Sequence, residues 1–211
     1  MSLKILGVLG SPVPNSNTDR AVKAVLEASG LKSEFVKLSD INVKPCRACK
    51  SCVEDNICKQ ADDFPSLASK VREARALVIG AYSPYRSLDA WTKAFLERLW
   101  SMRHQNNLNE GMQVVIVVTG VVPMIAKLVS DTITQRMKTE NMEVVETIWI
   151  RGNVPCLTCG RGSECKMSGV PLLFGKGKNA SSDLCIRVEG QEEVQKRIAR
   201  AGKMLKEHLS E

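Results

Sequence analysis

The sequence predicts an α/β protein built on a doubly wound, five-stranded parallel sheet. Five short apolar runs carry this expectation: Lys4 to Leu9, Glu34 to Leu38, Ala76 to Ala81, Val114 to Thr119 and Glu143 to Ile150. They are nearly continuous rather than alternating, the pattern of parallel strands covered on both faces. Segments with apolar residues every three or four positions separate them, and right-handed crossovers put such helices on both faces of the sheet. Ligands of such sheets bind beyond the carboxyl ends of the strands, where strand order reverses. The loops after strands one, three and four are therefore the places to look for a site.

Along the chain, the first strand runs through a turn-rich stretch, Gly10 to Thr18, into a helix over Asp19–Ser29 with Ala21, Val22, Val25 and Leu26 on one face. After strand two and a cysteine-rich insertion over about 42–62, a helix follows over Phe64–Ala74 with Leu67, Ala68 and Val71 inward. Ser87 to Met102 carries Leu88, Trp91, Phe95, Leu99 and Met102 at helical spacing, which predicts one amphipathic helix. A further helix is expected over Met124–Asn141. A second cysteine- and glycine-rich insertion follows over about 152–185, and a basic amphipathic helix over Gln191–Leu209 closes the chain. No internal repeat and no low-complexity linker stands out. The 211 residues fit one domain, 1–211, with two insertions.

An apolar fraction of 44% and a charged fraction of 25% suit a soluble globular protein. No run approaches the roughly 18 apolar residues of a membrane helix, and the start of the chain lacks a signal-peptide pattern. The expectation is a cytoplasmic protein without a membrane partner. The net charge of +7 comes from scattered Lys and Arg with only nine aromatic residues, a pattern that argues against nucleic acid. An acidic partner or a phosphorylated cofactor accounts for the charge equally well.

In the first loop, Ser11, Ser16 and Thr18 bring hydroxyls and Asn17 an amide, just before a helix N-terminus whose free N–H groups and dipole favour a phosphate. The same residues also make an ordinary capping loop. The loop lacks the glycines of a dinucleotide fingerprint and the lysine of a Walker loop, which leaves a mononucleotide phosphate as the fitting ligand. After strand three, Tyr82 to Ser87 forms a Pro-stiffened loop with two tyrosines, suited to a flat ring or to padding the core rim. The third loop, from Thr119, is less informative. Only two histidines occur, His104 and His208, both within expected helices, which argues against histidine-centred hydrolysis.

Eight cysteines without an export signal read as metal ligands or redox groups. Cys46, Cys49, Cys52 and Cys58 lie within thirteen residues, spaced by two, two and five. A tight triple with a fourth close by suits a cubane cluster, whereas mononuclear zinc generally uses two well-separated C-x-x-C pairs. Zinc and free or bridged thiols remain the alternatives. Arg47, Lys50 and Lys59 offset the charge of thiolates there. The second set, Cys156, Cys159, Cys165 and Cys185, leaves zinc, a second cluster, a redox pair and structural cysteines all open.

Taken together, Gly10-Ser-Pro with Ser16-Asn-Thr after strand one and Tyr82-Ser-Pro-Tyr-Arg-Ser with Lys93 to Arg98 after strand three resemble the flavin-binding reductases of the flavodoxin-like superfamily. With the compact Cys46 to Cys58 motif, the chain is similar to the iron-sulfur flavoproteins of anaerobic archaea and bacteria over about residues 4–150. The resemblance implies a flavodoxin-like fold. It also implies FMN, with Ser11, Ser16, Asn17 and Thr18 on the phosphate and Ser83, Pro84, Tyr85, Arg86 and Ser87 along the isoalloxazine. By the same resemblance, Thr119 would be a further contact from the third loop, and the four clustered cysteines would hold a 4Fe-4S cluster. It implies a homodimer or homotetramer in which electrons pass between cluster and FMN, with ferredoxin or NAD(P)H as donor. The sequence departs from the family pattern at Val13, where a basic residue is usual, and in the third loop, which lacks paired glycines. Two other readings stand beside it: an NAD(P)H-dependent FMN or quinone reductase without a cluster, and a metal-stabilised binding module without enzymatic activity.

Overall fold

The computed structural model describes residues 4–162 and 164–210. Met1 to Leu3, Ser163 and Glu211, at the ends of the expected domain and inside the second insertion, lie outside the described residues. Five parallel strands, β1 (Ile5–Leu9), β2 (Ser33–Lys37), β3 (Ala76–Tyr82), β4 (Gln113–Gly120) and β5 (Glu143–Arg151), form one sheet in the order β2-β1-β3-β4-β5. The order reverses between β1 and β3, which splay the loops after them apart at the carboxyl edge. All five expected strands occur within a residue or so of their expected bounds.

The helices are α1 (Asn17–Ser29), α2 (Phe64–Glu73), α3 (Ala90–Arg98), α4 (Pro123–Thr139), α5 (Val170–Phe174) and α6 (Glu192–Ser210). On one face, Val22 and Val25 of α1 pack with Ile198 and Leu205 of α6 against Ile5, Val78 and Val117. On the other, Phe64, Leu67 and Val71 of α2, Phe95 of α3 and Ile133 and Met137 of α4 pack on Leu6, Leu77 and Ile116. Each of these side chains alternates with the opposite face along its strand, which is why the strands read as continuous apolar runs. Among the described residues, no helix is long and apolar enough to cross a membrane.

Two expectations require correction. The single helix over Ser87–Met102 is shorter: α3 starts at Ala90 and gives way after Arg98 to a 3-10 turn, Leu99–Met102. Its start is set by the buried Asp89, whose carboxylate accepts the Thr92 N–H at 2.8 Å and the Tyr82 N–H at 3.2 Å. His104 lies beyond the 3-10 turn, outside any helix, with its ring edge-on to Trp100 at 4.2 Å. The apolar period alone does not register either break, because Leu88 and Trp91 still pack on the core from outside the regular helix or at its first turn. The short α5 in the second insertion was not anticipated.

Gly10 joins β1 to this cap. Its N–H donates to Gly80 O at 2.9 Å, and a Cβ added there would lie 2.1 Å from Thr92 Oγ1 and 2.2 Å from Asp89 Oδ1. Only glycine allows the first loop to meet the N-terminus of α3 so closely. Burial pushes the Asp89 carboxyl up, against the two N–H bonds that favour its ionised form. Gly10→Ala is expected to destabilise the fold by about 1–3 kcal/mol through overpacking. Asp89→Ala is expected to cost about 1–3 kcal/mol by orphaning two buried N–H groups, with Asp89→Asn losing less because it keeps an acceptor. Urea denaturation midpoints test this, and an Asp89→Ala midpoint equal to the parent's contradicts it.

Candidate functional site

At the carboxyl edge where the strand order reverses, the first, second and third loops are linked by side-chain and backbone hydrogen bonds. Thr18 Oγ1 lies 2.7 Å from Thr119 Oγ1, and the Ser83 N–H donates to Thr119 O at 3.1 Å. The fold thus brings Thr18, Ser83 and Thr119 together, with Ser11 buried beside Gly10. Ser16 caps α1, its hydroxyl accepting the Asp19 N–H at 3.1 Å. Asn17 is tied away from the loop: its amide donates to Ile186 O at 2.8 Å and accepts the Val188 N–H at 3.1 Å. The N–H groups of Asn17 and Thr18, in the first turn of α1, have no acceptor within the helix and carry its positive dipole end.

Lys37, which sequence reading passed over, sits at this loop. Its ammonium pairs with the buried Asp19 at 2.7 Å and donates to Val13 O at 2.6 Å. A lysine at the end of β2 lies level with Leu9 in the parallel register, so it reaches the first loop only because β2 and β1 are neighbours. It cancels the Asp19 charge in the first turn of α1, and Arg20, ion-paired with Glu189 at 2.5 Å, is also bonded to Asn17 Oδ1 at 2.6 Å and to the Asn15 carbonyl. These two cations stand near the loop where Val13 departs from the family pattern.

The second loop folds as a 3-10 turn over Pro84–Arg86, closed by the Ser87 N–H on Pro84 O at 2.9 Å. Tyr85 and Arg86 both take positive φ, 47° and 64°, a costly pair for residues with side chains. Tyr85 stands fully exposed at the rim.

The first cysteine insertion is fastened at two points. Arg98, the last residue of α3, has a side chain 1% exposed against Asp62 at 0%. It donates to both Asp62 oxygens, to Lys44 O at 2.8 Å and to Cys58 Sγ at 3.2 Å, and lies 4.5 Å over the Phe64 ring. Burial pushes the Asp62 carboxyl up, but the hydrogen bonds from Arg98 and from the Lys44 and Phe64 N–H groups outweigh it and hold the carboxyl below its ordinary value. At the other point, Asn56 donates to the His104 and Asn106 carbonyls and accepts the His104 N–H at 2.6 Å.

Held in this way, Cys46, Cys49, Cys52 and Cys58 line one pocket with Arg47, Lys50, Lys59, Arg98 and Trp100. The Ala48 N–H donates to Cys46 Sγ and the Ser51 hydroxyl to Cys49 Sγ, each at 3.4 Å. The Ser51 hydroxyl and N–H hold the Cys49 thiol below its ordinary value. Burial first, and then the facing Cys58, Cys46 and Cys49, push the Cys52 thiol up. Among the described residues, no three Cys, His, Asp or Glu side chains converge as one metal ion requires. Cys156, Cys159, Cys165 and Cys185 lie in the other insertion, between β5 and α6.

A family model described as NADPH-dependent FMN reductase matches residues 3–153. An iron-sulfur flavoprotein of Methanocaldococcus jannaschii is 31% identical over 104 residues, 48% of this chain and 54% of that protein. The chain spans about half the length of the curated relatives it matches. Among solved structures, the NAD(P)H:quinone oxidoreductase from Methanothermobacter marburgensis superposes with a TM-score of 0.63 at 15% identity, covering 97% of this chain and 96% of that one. A flavodoxin from the domain Archaea gives a TM-score of 0.54 at 11% identity, covering 99% and 100%. These two likenesses show the fold, which is flavodoxin-like.

Removing the guanidinium leaves Asp62 as a buried, unpaired charge. Arg98→Met is expected to cost about 3–5 kcal/mol, and Arg98→Met with Asp62→Leu much less than the sum of the single changes. A double-mutant cycle by chemical denaturation measures this, and a loss under about 1 kcal/mol for Arg98→Met contradicts it.

Proposed function

The chain belongs to the NADPH-dependent FMN reductase family, and on that premise we propose that it is a flavin-dependent oxidoreductase that binds FMN in the β1–β3 crevice and a 4Fe-4S cluster at Cys46, Cys49, Cys52 and Cys58. The observation that carries the reading is that four thiols line one pocket built against the end of the helix whose start closes the crevice. When bound, FMN supplies one- and two-electron transfer and the cluster one-electron exchange.

The residues fit both groups. For a phosphate there are the hydroxyls of Ser11, Ser16 and Thr18 and the first-turn N–H groups of α1, with Lys37 and Arg20 nearby as members of ion pairs with Asp19 and Glu189. Asn17, in this reading, acts through its backbone N–H while its side chain braces residues 186–188. For a flat ring, Ser83, Pro84, Tyr85, Arg86, Ser87 and Thr119 offer backbone groups, hydroxyls and one exposed aromatic face. For the cluster, Arg98, the Ser51 hydroxyl and the Ala48 N–H favour thiolate over thiol. The exposed Tyr85, Met124 and Leu128 form an apolar rim that a second copy covers in a homodimer or homotetramer.

Cations around the thiols and a net charge of +7 suit an acidic one-electron donor of the ferredoxin kind. The family description supports a second reading, in which NAD(P)H reduces FMN directly and the cysteines hold no cluster. Anaerobic purification followed by flavin, iron and sulfide assay separates the two. About one FMN per chain is expected, and Cys49→Ser with Cys52→Ser is expected to remove about four irons while keeping the flavin. That variant is also expected to lose ferredoxin-coupled turnover. Unchanged iron removes the cluster from the proposal, absent flavin removes the oxidoreductase, and a variant that oxidises NADPH at the parent rate favours the second reading.

A further inference from the structure

One cysteine spacing occurs twice in the chain. Cys49-x2-Cys52-x5-Cys58 in the first insertion and Cys156-x2-Cys159-x5-Cys165 in the second are the same pattern. In the first set, Cys46 completes a quartet three residues upstream of Cys49. The equivalent upstream position in the second set is Asn153, which offers no thiolate.

Asn153 instead clasps the residue beside the remaining cysteine. Its amide donates to Ile186 O at 3.0 Å and its carbonyl accepts the Ile186 N–H at 2.7 Å. This two-bond clasp holds Ile186, the residue next to Cys185, beside the position three residues before Cys156, which is the offset that Cys46 has from Cys49 in the first set. The approach of the returning chain is close elsewhere too. A Cβ added at Gly162 would lie 2.2 Å from Cys156 O and 2.5 Å from Ala180 Cβ, so glycine is what lets residue 180 press against the 156–162 loop.

The thiols of the two sets are also treated alike by the backbone. The Arg161 N–H donates to Cys159 Sγ at 3.4 Å, two residues on, as Ala48 does to Cys46. The Gly169 N–H donates to Cys156 Sγ at 3.3 Å, and Gly160, at φ 76°, makes the tight turn after Cys159. N–H groups aimed at sulfur favour thiolate and tune bound metal. Arg161, Lys166, Lys176 and Lys178 supply positive charge nearby in the sequence.

We propose that Cys156, Cys159, Cys165 and Cys185 ligate a second iron–sulfur cluster, with Asn153 as the residue that positions Cys185. The choice of iron–sulfur over zinc rests on the reading of the first set, whereas the four-thiolate site itself rests on the clasp and the packing at Gly162. The site sits behind the first carboxyl-end loop, because the same Ile186 carbonyl and the Val188 N–H are bonded to Asn17 at the N-terminus of α1.

The test is iron, sulfide and zinc content of anaerobically prepared full-length protein, with electron paramagnetic resonance of the reduced samples. The parent is expected to hold about eight irons, and Cys156→Ser with Cys159→Ser about four, with one of two reduced-cluster signals gone. Cys185→Ser alone is expected to lose the same signal, and adding Asn153→Cys to it is expected to restore the signal by recreating the spacing of the first set. That rescue keeps the proposal testable even if the double serine variant misfolds. Unchanged iron in the Cys156/Cys159 variant, or the loss of one zinc and no iron, overturns it. Iron lost from that variant but not from Cys49→Ser with Cys52→Ser supports the second site and instead overturns the reading of the first.

Discussion

A nine-residue helix with a buried charged group at each end organises this molecule. At the start of α3, Asp89 caps the helix and closes the crevice through Gly10 and Tyr82; at its end, Arg98 holds the cysteine insertion through Asp62, Lys44 and Cys58. At 1.5 Å per residue the helix is about 14 Å long, and Phe95 and Leu96 lock it into the core between them. The separation between crevice and cysteine pocket is therefore set by packed backbone rather than by a loop. A flexible tether would let the two regions wander, whereas a helix fastened at both ends holds them at one spacing.

The electrostatics follow the same economy. The Arg98–Asp62 pair is out of water, where an ion pair survives only if its remaining hydrogen-bonding capacity is met. The Lys44 carbonyl, the Lys44 and Phe64 N–H groups and Cys58 meet most of it. The pair thereby fixes a polar loop that lacks regular secondary structure and carries four cysteines. At the opposite side of the crevice, Lys37 and Asp19 neutralise each other in the first turn of α1, so the N-terminal dipole of that helix faces the first loop without an opposing carboxylate charge.

The two insertions differ in how they are held. The first hangs on buried side chains of α3 and on Asn56; the second is braced against α1 by Asn17 and against its own start by Asn153. Both therefore depend on side-chain amides with two or three bonds each, which fix a backbone segment in position and orientation with a single side chain. Uncommon backbone recurs in both regions: Tyr85 and Arg86 take positive φ in the second loop, and Ala48, Lys50 and Asn56 do so among the first group of cysteines.

By itself the sequence determined what depends on local periodicity and spacing. The five apolar runs, the helices between them and the two cysteine groups were all legible, since burial on both faces leaves continuous apolar strands and ligand spacing is written along the chain. The loops carrying Ser11, Ser83 and Thr119 were legible because a parallel sheet forces its ligand loops to one edge. Tertiary structure alone decided which polar residues serve those loops. Lys37 reaches the first loop only through the β2–β1 register, Asn17 turns its amide to residue 186, and Arg98 looked like one more cation on an amphipathic helix until Asp62 and Cys58 met it. Partners tens of residues away in the chain leave no periodic signal, because the hydrogen bond or ion pair that selects them exists only once the sheet order and the helix packing have brought them together.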